Sequence, residues 1–174
     1  LLGELALAEK NPQTALPYYQ KAIELNPNYF GSYMGAGIAQ VQLGDKARAE
    51  EWLNRSAQLL PTAPAAYYLG NIARDKGDSS KALQYYQAAA SSNSSYGKAA
   101  AAEYMKMDLP QNPGNYVAAA GQLDAQGRVL VVVQNRSQVP LNGIRVTPVL
   151  VDGTGRIVQQ GNPVTINAVV KPGE

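Results

Sequence analysis

The thirteen carboxylates of this 174-residue chain are its only side chains suited to general acid–base chemistry, because it contains no histidine and no cysteine. That composition excludes a Ser-His-Asp triad, a thiol nucleophile, a disulfide framework and any zinc site built from Cys and His. Eleven of the carboxylates read as helix caps, turn residues or charges on exposed helix faces. The other two, Asp75 and Glu103, have no such ready reading. Neither G-x-x-x-x-G-K-[ST] nor G-x-G-x-x-G occurs, so no phosphate-cradling loop is expected. Asp152-Gly-Thr-Gly-Arg156 sets a carboxylate among small residues but reads as a hairpin turn. Asn135-Arg-Ser137 matches a glycosylation sequon, a pattern short enough to arise by chance. The chain is therefore read as non-catalytic, with no cofactor and no metal.

Charge points away from a polyanionic partner. Residues 1–107 hold ten basic and nine acidic side chains, residues 108–174 five and four, and the net charge is +2. Neither part is a basic patch, so no nucleic acid is expected. The longest strictly aliphatic run, 129–133, is far short of the ~20 residues that span a bilayer, so membrane insertion is not expected. The chain opens on Leu1 and closes on Lys171-Pro-Gly-Glu174, which reads as a piece of a longer protein.

The elements that would position any site fall into two parts. Up to Met107 the chain is rich in Ala, Leu, Tyr and Gln, with apolar residues at helical spacing. From Tyr116 it is rich in Val, Asn, Gly and Thr, with period-2 alternation. Pro110, Pro113 and Gly114 between them stop a helix and favour turns. The expected division is 1–109 and 110–174.

The first part repeats. Ala15, Ala49 and Ala82 recur at spacings of 34 and 33, as do Tyr19, Leu53 and Tyr86, and Gly3, Gly37 and Gly70. Pro27 and Pro61 are also 34 apart. A period of this length, with small residues at fixed sites, marks a stacked array of helix pairs. The segment Ala15-Leu-Pro-Tyr-Tyr-Gln-Lys-Ala-Ile-Glu-Leu-Asn-Pro27 resembles the second helix of a tetratricopeptide repeat. The repeats are expected at 1–29, 30–62 and 63–95, with a capping helix at 96–107 and seven helices in all. Gly37 and Gly70 are expected where paired helices touch, and Gly44 and Gly77 at helix ends. Asn11, Asp45 and Asp78 are expected as N-caps, with Pro12 in the first turn. Tyr19, Leu53 and Tyr86 read as core. In repeat three the Pro is replaced by the tail Ser91-Ser-Asn-Ser-Ser95, and Ala99, Ala100, Ala102 and Tyr104 are expected to cover the open end.

The resemblance implies an α-solenoid, a right-handed superhelix whose leading helices line a concave groove. Carried over by position, it places Met34, Ile38, Val41 and Gln42 of repeat two and Tyr67, Asn71, Arg74 and Asp75 of repeat three in that groove. Glu4 and Leu7 would join from repeat one, and Glu103 and Lys106 from the capping helix. Asn71 and Arg74, one turn apart, would hold a peptide amide and a carboxylate. Relatives that clamp a C-terminal carboxylate use Lys, Asn and Arg where this chain has Met34 and Ile38, so that clamp is not reproduced.

In the second part, strands are expected at 116–123, 128–135, 143–151, 156–160 and 162–170, with turns at Asp124-Ala-Gln-Gly127 and Asp152-Gly-Thr-Gly155. The run 129–133 suits a strand covered on both faces. Pro148 implies an edge or a bulge in the third strand. The corner Asn135-Arg-Ser-Gln-Val-Pro-Leu141 and the turn Lys171-Pro-Gly-Glu174 resemble those of small bacterial immunoglobulin-like domains of the FxLYD type. The resemblance implies an antiparallel β-sandwich needing one or two further strands.

The expected protein is thus mainly α with a β domain, binding a peptide or partner protein in its groove. Arrays of this style also occur as substrate-positioning tails of bacterial envelope zinc metallopeptidases with an upstream H-E-x-x-H motif, which is the alternative reading. The Gln-, Asn-, Ala- and Ser-rich composition fits a bacterial envelope protein, periplasmic by expectation.

Overall fold

A computed structural model describes residues 1–123, 125–126, 129–137, 140–154 and 156–173. Gly127 with Asp124 of the first expected turn, Arg128, Gln138, Val139, Gly155 and Glu174 lie outside the described residues. The chain divides into two compact units, Leu1–Asp108 and Leu109–Glu174.

The first unit is seven helices: α1 (Leu2–Ala8), α2 (Pro12–Leu25), α3 (Phe30–Leu43), α4 (Lys46–Leu59), α5 (Ala63–Asp75), α6 (Ser79–Ala90) and α7 (Ser95–Asp108). Local chemistry sets the ends. Asn11, Asp45 and Asp78 accept from the backbone N–H of Thr14, Arg48 and Lys81, satisfying orphan donors of α2, α4 and α6. Thr62 does the same for α5 through Ala65. Gly44 and Gly77 take positive φ, 85° and 80°, to turn the chain after α3 and α5.

Packing follows from the small residues. Ala15, Ala49 and Ala82 are fully buried, as are Leu53 and Tyr86. A Cβ on Gly3 would lie 2.9 Å from the Tyr19 ring, one on Gly37 2.6 Å from Leu53 Cγ, and one on Gly70 2.7 Å from the Tyr86 ring. In every repeat, then, the glycine makes room for the large residue of the paired helix. Two further glycines escaped the repeat pattern. Gly35 makes room for the other side of Tyr19, with 2.2 Å to its ring, so that ring is held between two repeats. Gly97 lies against the Ser92 carbonyl where α7 starts. Ala100 is buried against Tyr86 and Ala89, with Tyr104 and Met107 beside it, so α7 covers the end of the stack.

The helices form two layers. Leading helices pack in a row, α1 on α3, α3 on α5 and α5 on α7. Among the described residues no comparable packing joins the trailing helices α2, α4 and α6 to one another.

The second unit starts with a short 3-10 turn (Pro113–Asn115), and its described residues hold six strands: β1 (Val117–Leu123), β2 (Val129–Asn135), β3 (Ile144–Val146), β4 (Val149–Val151), β5 (Ile157–Gln160) and β6 (Val164–Ile166). They form three antiparallel pairs, β1–β2, β3–β6 and β4–β5. Two expectations are corrected. The single strand at 143–151 is two strands. Pro148 has no N–H to give a ladder, and the chain changes partner there, from β6 to β5. The run in β2 is not covered on both faces. Leu130 is 47%, Val131 39% and Val132 65% exposed. The opposite strand offers only Ala120 and Gly121 against Val132 and Val131, too little side chain to shield them.

The sequon and the Lys-Pro-Gly turn come together at one corner. Asn135 is fully buried. Its Nδ2 donates to the Val170 carbonyl at 2.9 Å, and its Oδ1 accepts from the Ser137 N–H at 2.8 Å and the Ser137 hydroxyl at 2.7 Å. The Gly173 N–H donates to the Asn135 carbonyl at 2.8 Å, and Leu141 bridges to Val170. Nδ2 is the atom a glycan would need, so this sequon is structural. Asn135→Ala removes three hydrogen bonds that tie this corner together, at a cost of about 2 kcal/mol. Amide exchange at Ser137 and Gly173 is expected to accelerate by about 30-fold; exchange matching that of the parent chain would refute this role.

Candidate functional site

The leading helices α3 and α5 carry the expected groove residues at equivalent positions of repeats two and three. Met34 and Ile38, one turn apart on α3, are half-buried. The Thr62 hydroxyl donates to Met34 Sδ at 3.6 Å. Val41 turns inward and packs against the cluster of Ala49, Leu53, Ala65, Leu69 and Ile72, while Gln42, the next residue, is exposed. From repeat one, Leu7 packs on the core and Glu4 is exposed.

Tyr67 is half-buried at the centre of an aromatic group. Its ring centroid lies 5.6 Å from Tyr68, 5.8 Å from Tyr96 and 6.3 Å from Tyr86, and Tyr68 lies 5.8 Å from Tyr96. Tilted and edge-on rings at these separations attract beyond their area burial. They set a rigid shelf between α5 and the start of α7.

Asn71 is fixed from behind. The Tyr86 hydroxyl donates to Asn71 Oδ1 at 2.7 Å. Burial pushes the Tyr86 hydroxyl up to about 12, so it stays a donor at neutral pH. With its oxygen taken, Asn71 presents Nδ2, so the site offers donors to a ligand carbonyl or carboxylate.

Arg74 does not stand ready for a ligand carboxylate. Its Nη1 donates to Glu103 Oε2 at 2.8 Å and its Nη2 to Asp75 Oδ1 at 3.2 Å. Lys46 Nζ meets Asp75 Oδ2 at 2.6 Å, and Lys106 Nζ meets Glu103 Oε1 at 2.6 Å. Asp75 and Glu103, the two carboxylates without a local structural reading, are thus the anions of a five-member ladder. It crosses from α4 through α5 to α7. The Lys46 ammonium beside Asp75 holds its carboxyl below the ordinary value, against burial, with Arg74 adding to the depression. This support is in place above the ordinary carboxylate value and is lost as pH falls through the lowered one. Exposed pairs contribute little singly, so the ladder's main effect is to orient Arg74.

Sequence reasoning missed Lys46, Thr62, Tyr86 and Tyr96 as parts of this surface. The repeat period carries no signal for the contacts that Lys46, Thr62 and Tyr96 make to helices of another pair, and it marked Tyr86 as core without showing that its hydroxyl reaches Asn71. Arg55, on a trailing helix, is also engaged: its guanidinium carbon lies 5.8 Å from the Tyr33 ring centroid. Asp152 is a turn residue. Its Oδ1 accepts from the Thr154 hydroxyl at 2.6 Å, the Thr154 N–H at 2.9 Å and the Arg156 N–H at 3.1 Å, which hold the carboxyl below its ordinary value. Among the described residues no group of three or more acidic side chains converges as a metal would need, and no helix is long and apolar enough to cross a membrane.

Two tetratricopeptide repeat models match the chain, over residues 6–72 and 63–96. The photosystem I assembly protein Ycf3 of Rippkaea orientalis is 31% identical over 138 residues, covering 72% of this chain and 72% of that protein. The 33- and 34-residue spacing, the glycine–large-residue contacts repeated in three helix pairs and these similarities converge: the chain belongs to the tetratricopeptide repeat family.

Proposed function

We propose that the chain is a non-catalytic interaction module that binds an extended segment of a partner protein along its leading helices. The observation that carries this reading is the packing asymmetry of the two layers. Leading helices pack on one another in a row, while no comparable packing joins the trailing helices to one another, which supports an array that bends toward its leading layer with that side concave. Met34 and Ile38 supply an apolar floor, Tyr67 a rigid wall and Asn71 a pair of amide donors. The name of the Ycf3 relative describes an assembly protein, which supports a role in bringing proteins together rather than in chemistry.

Apolar burial provides the attraction, at ~25 cal/mol per Å² removed from water. Asn71 sets register through a backbone carbonyl of the ligand. Arg74, already shared by two carboxylates, acts on the ligand at longer range. A groove this short gives affinities of roughly micromolar or weaker.

Asn71→Asp is the discriminating variant, since it keeps an acceptor for Tyr86 and removes the Nδ2 donors. It is expected to weaken peptide binding about tenfold, ~1.4 kcal/mol, with an unchanged melting temperature. A photocrosslinker at position 67 should capture the bound peptide, and one at Gln84, exposed on α6, should not. Capture from position 84 alone would place the binding surface on the trailing layer.

A further inference from the structure

The second unit contains a cleft of about 450 Å³ whose walls include Leu109, Val117, Ala119, Ile144, Arg145 and Val146. Its two strands meet it differently. β1 contributes the alternate residues Val117 and Ala119, as a strand does when one face borders a space. On the other side every residue from Leu141 to Thr147 lines the cleft without a gap. A strand contributes consecutive residues when it lies edge-on, so β3 borders the cleft with its edge.

Among the described residues that edge has no second strand. β3 is bonded to β6 on one side only, with Arg145 opposite Thr165. Among the described residues no backbone bond runs from β3 to any other segment. Half of the N–H and C=O groups of a strand point away from its partner, so the cleft offers a short row of them beside an apolar wall. Ile144 and Val146 are half-buried, while Arg145 between them is exposed and makes no ion pair among the described residues.

We propose that this cleft accepts an extended segment of a partner protein as a third strand on β3, with an acidic residue opposite Arg145 and an apolar residue on either side of it. Backbone hydrogen bonds to β3 supply the pairing, and the two apolar side chains lie against the Val117–Ala119 face of β1. Charge selects the partner. A second copy adding antiparallel through the same edge, about the central residue of β3, would set Arg145 against Arg145, an unfavourable cross-strand pair. An acidic residue there turns the repulsion into attraction. This surface lies wholly in the second unit and does not depend on the reading of the helical groove.

The test uses the full chain and two fluorescein-labelled peptides, Thr-Val-Thr-Val-Glu-Val-Thr-Val-Thr and the same sequence with Lys for Glu, read by fluorescence anisotropy. The Glu peptide is expected to bind about tenfold more tightly than the Lys peptide, and Arg145→Glu is expected to reverse the order. Because the reversal is a gain for the Lys peptide, it cannot arise from misfolding. N-methylation of the peptide's alternate amides on the β3-facing edge should abolish binding. Equal binding of the two peptides, an order unchanged by Arg145→Glu, tolerance of N-methylation, or no binding of either peptide at millimolar concentration would each overturn the proposal. So would a homodimer, seen by sedimentation, that is lost in Arg145→Glu.

Discussion

Gly97→Ala is expected to detach α7 from the end of the helical stack, at a cost of about 3 kcal/mol or more. A Cβ at this position would lie 1.8 Å from the Ser92 carbonyl oxygen, 2.7 Å from its carbon and 3.0 Å from the Ala89 oxygen. All three are backbone atoms, so no rotamer change relieves the overlap. The last turn of α6 or the first turn of α7 has to move. Moving α7 uncovers the cluster of Ala89, Tyr86 and Ala100 and withdraws Glu103 from Arg74. Gly114→Ala is the matched reference, since nothing lies within 4 Å of its added carbon and its φ is not in the left-handed region. It should be neutral or slightly stabilising. Urea titrations followed by far-UV circular dichroism compare the two. A Gly97→Ala midpoint equal to that of Gly114→Ala would contradict the close approach of α6 and α7.

Gly37→Leu is the second large effect, expected at about 3 kcal/mol. Its Cβ alone would lie 2.6 Å from Leu53 Cγ, 2.9 Å from Leu53 Cδ2 and 3.3 Å from the Ala49 carbonyl oxygen, and leucine adds three more carbons to the contact of α3 with α4. Here the obstacle is largely a side chain, which makes compensation possible. The exchange Gly37→Leu with Leu53→Gly should recover more than half of the loss, after the ~1 kcal/mol that a new helical glycine costs. A coupling of that size is the signature of direct contact. If the two substitutions simply add, the glycine and the leucine do not meet.

Much of the helical unit was legible because its determinants are local or periodic. N-caps at Asn11, Asp45 and Asp78 need only a side chain three residues from an amide. The Gly37–Leu53 and Gly70–Tyr86 contacts recur at one fixed separation in the repeat. The glycines that broke this pattern were not legible. Gly35 meets a ring of the preceding repeat, and Gly97 meets a carbonyl in the irregular serine turn.

The helix pairs, their order and the presence of an antiparallel strand-rich region were determined by the sequence itself, through helical spacing, period-2 alternation and turn residues. Tertiary structure alone decided which distant groups meet. Lys46 finds Asp75 and Arg74 finds Glu103, each 29 residues away, so side chains that looked available to a ligand are partly occupied by each other. Tyr86 takes the oxygen of Asn71 and leaves its amide donors. In the strand region the hydrophobic run of β2 resembled a buried strand, yet its partner offers alanine and glycine and its side chains meet water. Pro148 foretold an irregularity but not the change of partner, because a missing N–H says where a ladder must break and nothing about which edge the chain joins next. Local propensity acts within a few residues, whereas ion pairs, strand partners and helix contacts depend on where the folded backbone brings remote segments together.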